Sequence, residues 1–156
     1  MSVELRIPTG GSYALTEQFR ELGERVAFPD LNLHKVEMDG MKGYEFKLRN
    51  PWYTEFPVSC AEDMEVGING YAVQKGKIFF VIRDQAVPFK YAKNLYELQW
   101  GLGEVAQVRM LDGQLQAVVK EANDVEIKFL LRTAFEGYHL PNNRIEYEFK
   151  RNMGVI

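Results

Sequence analysis

The stretch with the most chemistry per residue is Arg49-Asn50-Pro51-Trp52-Tyr53-Thr54-Glu55-Phe56-Pro57. It places a guanidinium next to three aromatic rings between two prolines. Proline stiffens the chain, and rings on a stiff loop give contact area at little entropic cost. The aromatics Trp52, Tyr53 and Phe56 are therefore candidate contacts to a partner or ligand, with a lid folded back on the core as the other reading of Trp52 and Phe56. A second candidate is Gly137-Tyr138-His139-Leu140-Pro141, where Tyr138 and His139 sit in a proline-containing loop between strands. The other histidine, His34, falls in a strand pattern and reads as structural. No His-x-His, His-Glu-x-x-His or cysteine pair is present, so no metal site is expected on this chain. Cys60 is followed by Glu62, Asp63 and Glu65, which would raise the pKa of its thiol, so a buried structural cysteine is expected. The three carboxylates read as solvated or turn-capping groups. No Ser-His-Asp set or P-loop occurs, and Gly101-Leu102-Gly103 lacks the spacing of a phosphate loop. No catalytic residue is expected on this chain.

The elements that must carry these residues are mostly strands. Tyr44, Phe46 and Leu48 alternate with Glu45, Lys47 and Arg49, the period of a half-buried strand. Met64, Val66 and Ile68 alternate with polar or small residues and run into Asn69-Gly70, a strong hairpin signal. Ile78 to Ile82 is apolar on both faces, which suggests a central strand. Asp84-Gln85 reads as a turn into Ala86-Val87-Pro88-Phe89. Val108 and Met110 lead through Asp112-Gly113 to Leu115, Ala117 and Val119, a further hairpin pattern. Val125, Ile127, Phe129 and Leu131, then Ile145, Tyr147 and Phe149, complete the series. About eight or nine short strands with turns every ten residues or so predict an antiparallel β-sandwich. Phe46, Leu48, Val66, Ile68, Phe80, Ile127 and Phe129 should point inward. Tyr91 to Trp100 fits either a short helix or an aromatic-rich loop.

One helix is predicted between Ala14 and Val26, where Leu15, Phe19, Leu22 and Val26 recur at helical spacing. Thr16 is its candidate N-cap, and Pro29 ends it. Its apolar stripe needs a surface, either the chain's own sheet or a partner. The division expected is residues 1–30 as an extension bearing the helix and 31–156 as the β-sandwich domain.

The chain of 156 residues carries 19 basic and 22 acidic side chains, a net charge of -3. A nucleic-acid partner would call for a basic excess or stripe, and none is visible. The longest apolar run is too short to span a membrane, and the first residues lack the pattern of a signal peptide. A single cysteine excludes an intramolecular disulfide framework. A cytoplasmic globular protein is expected.

The segments Gly43-Tyr44-Glu45-Phe46-Lys47-Leu48-Arg49-Asn50-Pro51-Trp52-Tyr53 and Pro57-Val58-Ser59-Cys60-Ala61-Glu62-Asp63-Met64-Glu65-Val66 carry a family resemblance. With the Asn69-Gly70 hairpin, Ile78-Phe79-Phe80-Val81 and Phe129-Leu130-Leu131-Arg132, this order resembles the small β-subunit of bacterial C-glycoside deglycosidases. The resemblance runs from about Lys42 to Gly137, and the predicted helix lies outside it. It implies a β-sandwich paired with a larger TIM-barrel α-subunit similar to sugar isomerases. That partner would hold the catalytic base and a divalent metal, manganese in the family. The substrate implied is a 3-keto C-glycoside. Its ketone acidifies the neighbouring C–H, so that a base can form an enediolate and elimination can break the bond to the aryl carbon. On this chain the resemblance points to Arg49, Trp52 and Tyr53 as contacts to the α-subunit or its substrate mouth, and to no cofactor. Two alternatives from other classes stay open. One is a stand-alone carbohydrate-binding β-sandwich that stacks sugars on Trp52 and Tyr53, and the other is a structural subunit of an unrelated complex.

Overall fold

The structure, a computed structural model, describes residue 18, residues 20–132 and residues 144–156. Tyr138 and His139, and the predicted helix before residue 18 with its Thr16 cap, lie outside the described residues.

The strands in chain order are β1 (Asn32–Met38), β2 (Met41–Arg49), β3 (Phe56–Pro57), β4 (Ala61–Ile68), β5 (Tyr71–Ala72) and β6 (Ile78–Ile82). They continue with β7 (Gln85–Pro88), β8 (Gln99–Trp100), β9 (Val105–Met110), β10 (Asn123–Arg132) and β11 (Arg144–Val155). Helix α1 covers residues 20–26 and a single helical turn, α2, covers Leu115–Val118. The fold is all-β, as the alternating pattern predicts.

Nine strands form one sheet in the order β5-β4-β10-β11-β1-β2-β9-β6-β7, and β3 pairs with β8 in a separate ribbon. Neighbours are antiparallel except β1 and β11, which run parallel through Asn32 opposite Gly154 and Leu33 opposite Val155. The layers come from the curl of this one sheet. On a flat sheet β10 and β6 would lie five strand spacings apart, about 24 Å. Instead Phe80 on β6 and Phe129 on β10 both pack on Trp100, at ring-centroid distances of 5.0 and 6.2 Å. The β3–β8 ribbon places Phe56 and Trp100 in the interior, their rings 5.4 Å apart. Phe129, Tyr147 and Phe149 extend the aromatic core along β10 and β11.

All seven predicted core residues are buried. The outer face of β4, β10 and β11 carries matched charges: Lys128 stands opposite Glu65 and Glu148, and Glu126 opposite Lys150. Such pairs favour this register by a few tenths of a kcal/mol each, roughly.

Asn69 and Gly70 turn at φ of 52° and 84°, the left-handed pair that the hairpin signal implies. Three expectations need correcting. The β6–β7 turn is made by Arg83 and Asp84, both at positive φ, one residue earlier than the sequence suggests. β6 is next to the edge, not central, and its apolar outer side reflects Val81, which is buried although it faces away from the main core. Asp112-Gly113 opens α2 instead of a hairpin. The buried Asp112 carboxylate accepts from the Gln114 and Gln74 amides and the Tyr71 hydroxyl, and this draws the chain into a helical turn. Tyr91–Trp100 resolves into both readings in part, a 3₁₀ segment over Phe89–Asn94 followed by β8.

A groove built on the aromatic loop

The aromatic loop leaves β2 at Arg49 and is shaped by Asn50. The Asn50 amide Nδ2 donates to the carbonyls of Thr54, Trp100 and Gly101 at 3.1, 3.1 and 2.9 Å. Its Oδ1 accepts from the Trp52 amide at 2.8 Å. That bond turns the chain straight after Pro51, and the indole of Trp52 goes inward, 5% exposed. Of the two readings of this loop, the lid holds for Trp52 and Phe56, which join the core, while Tyr53 remains 39% exposed. Burial pushes the Tyr53 phenol above its ordinary pKa.

Arg49 performs a local task. Its Nη1 donates to the Val26 carbonyl at 2.7 Å, and its amide donates to Ala27. From the other side Arg151, packed over the rings of Phe28 and Phe149, donates to the Glu24 carbonyl at 2.8 Å. Two guanidiniums thus satisfy carbonyls at the end of α1, where a helix leaves acceptors without partners. The helix approaches the loop through Gly23, where a Cβ would collide with the Pro51 carbonyl. Gly23 and Ala27 are buried on this approach, while Leu22 is left 51% and Val26 38% exposed. The described part of the predicted apolar stripe therefore does not lie on the chain's own sheet.

The result is a groove of about 290 Å³ between α1, the aromatic loop and the tip of the β8–β9 turn. Leu22, Val26, Pro51, Trp52, Tyr53 and Leu102 give it apolar walls, with Arg49 at the rim. Three residues chosen from the sequence, Arg49, Trp52 and Tyr53, meet there. Leu22 and Val26 were legible only as a helix stripe, and Leu102 not at all. The signal that could have found Leu102 is the Gly-x-Gly turn, in which Gly103 takes a φ of +72° and the intervening side chain is 69% exposed.

Other candidates take structural roles. Cys60 is buried, and burial, with Glu62 nearby, pushes its thiol above the ordinary pKa against the opposing pull of Arg132. Glu62 pairs with Arg132 and Arg144, and Asp63 and Glu65 pair with Lys75. The ring of His34 meets Asp30 at 3.2 Å. Among the described residues no three His, Cys, Asp or Glu side chains group as a metal-ligand set. Also among them, no helix is long and apolar enough to cross a membrane.

Comparison with curated proteins gives no match. Residues 24–135 match the family described as C-glycoside deglycosidase beta subunit. That span starts inside α1 and takes in every strand from β1 through β10 and the groove apart from Leu22 and Gly23, well over half of the chain. It reaches further toward the N-terminus than the motifs from Lys42 onward. By this match the chain belongs to the C-glycoside deglycosidase beta subunit family.

Proposed function

We propose that this chain is the non-catalytic subunit of a heteromeric carbon–carbon lyase that separates a 3-keto sugar from an aromatic aglycone. Its partner in this reading is a sugar-isomerase-like TIM barrel carrying the base and a divalent metal, manganese by family resemblance, and the assembly is cytoplasmic. The partner would hold the metal, which would supply Lewis-acid stabilisation of negative charge beside the ketone. This chain would bind the barrel and exclude water from the mouth of its site. The observation that carries this reading is the groove. A chain that leaves Leu22, Val26, Tyr53 and Leu102 exposed around one apolar cleft presents a surface of the kind that marks protein interaction. Family membership supports it, since a beta subunit has a partner by name. The lectin reading loses its best stacking platform, because the Trp52 face is turned inward.

The test is co-expression with a sugar-isomerase-like barrel subunit, followed by a cleavage assay on a 3-keto C-glucoside. Cleavage that needs both chains, and no stoichiometric manganese on this chain alone, is the expected result. Full activity of either chain alone would overturn it.

A further inference from the structure

Asn50 is 2% exposed, in a position where a polar side chain must satisfy itself within the protein. The amide has two hydrogens for three carbonyl acceptors, so one is shared, and Oδ1 faces an N–H, which fixes the orientation of the amide. The three carbonyls belong to both segments that wall the groove: Thr54 on the aromatic loop, Trp100 at the end of β8 and Gly101 in the β8–β9 turn. The backbone amide of Asn50 adds a bond to the Glu104 carbonyl at 2.9 Å. That carbonyl also accepts from the Trp100 indole at 2.8 Å. The Glu104 carboxylate closes the turn from outside by accepting from the Gly101 amide at 2.8 Å and from Arg83. Thus the exposed groups Tyr53 and Leu102 stand on two loops that one buried side chain joins.

We infer that Asn50 is the positioning residue of the groove, holding Tyr53 and Leu102 at the separation the partner subunit recognises before that partner arrives. This rests on the reading that the groove meets the barrel subunit. A groove ordered in advance spares the association the cost of ordering two loops, and a protein that is competent only part of the time binds more weakly in proportion.

The experiment uses the full chain with Asn50→Ala, and with Glu104→Ala as a second variant that loosens the same turn from its solvent side. Amide hydrogen exchange of the free chain is expected to speed up at least about tenfold at residues 53–54 and 101–103, with β10 and β11 keeping their protection. Association with the recombinant barrel subunit is expected to slow by roughly the loss in competent population, about tenfold, while dissociation changes less than about twofold. Equal loosening of β10 and β11 would show a merely structural role and overturn the inference, as would unchanged exchange in the two loops. If Asn50→Ala does not fold, Glu104→Ala is judged by the same criteria. Tyr53→Ala separates the two levels. If it weakens association while the loosened variants bind normally, the positioning role fails and the groove reading stands. If neither Tyr53→Ala nor Leu102→Ala changes association, the groove reading itself fails and takes this inference with it.

Discussion

The rings of Trp52 and Tyr53 lie 4.7 Å apart between centroids, yet Trp52 is 5% exposed and Tyr53 39%. Adjacent residues of similar chemistry are thus assigned to opposite sides of the surface. The division is made by the Asn50 side chain, whose oxygen holds the Trp52 amide.

The two rings should therefore respond differently to truncation. Trp52→Ala is expected to cost about 3–5 kcal/mol of folding stability, the range for a buried Trp. Tyr53→Ala should leave the melting temperature of the lone chain nearly unchanged, since exposed positions shift stability by about 0.5 kcal/mol or less. Its effect should appear on association with the barrel subunit, on the order of 2 kcal/mol if the ring is central to the interface. Thermal melts beside binding titrations read both.

Gly23→Ala places a methyl group against the Pro51 carbonyl. Backbone cannot yield as a flexible side chain would, so helix α1 must move outward. The expected cost is about 1–3 kcal/mol, the usual range for overpacking, together with weaker partner binding as the groove wall shifts. Gly76→Ala, where a Cβ meets open space, is the control and should leave binding unchanged.

Asp112 makes stability pH-dependent. Burial opposes its charge, but hydrogen bonds from Tyr71 and from the Gln74 and Gln114 amides, with Lys77 nearby, outweigh burial and hold its carboxyl below the ordinary value. A carboxyl lowered in the folded state stabilises the fold above its unfolded pKa of about 4, and that contribution is lost as pH falls through the folded value. Denaturant melts between pH 7 and pH 3 should show stability falling at the acid end. Asp112→Asn should be less stable at pH 7 and lose less on acidification; an unchanged acid slope would rule Asp112 out as a source.

Cys60 should react slowly with thiol reagents. It is buried, and its raised pKa leaves little thiolate at neutral pH. Alkylation in native buffer is expected to run far slower than in urea, and rapid native labelling would contradict the burial.

Much of the fold was legible in the sequence because strand alternation is a local signal. Phe46, Leu48, Val66, Ile68, Phe80, Ile127 and Phe129 could be assigned inward from period two alone, and all are buried. Asn69-Gly70 declared its turn because few other pairs accept two positive φ angles. The motifs around Arg49–Tyr53 and Pro57–Val66 also sufficed to suggest the family that the match over residues 24–135 shows. The sequence could not show the curl that brings β6 and β10 onto Trp100, or the parallel pairing of β1 with β11, since both depend on contacts between residues far apart in the chain. Nor could it show that Trp52 turns in and Leu22 turns out. Those assignments depend on a buried amide that bonds to carbonyls up to 51 residues away and on a glycine pressed against a distant carbonyl. Local pattern determined which residues were apolar, and only the tertiary structure decided which of them were left without a core to enter.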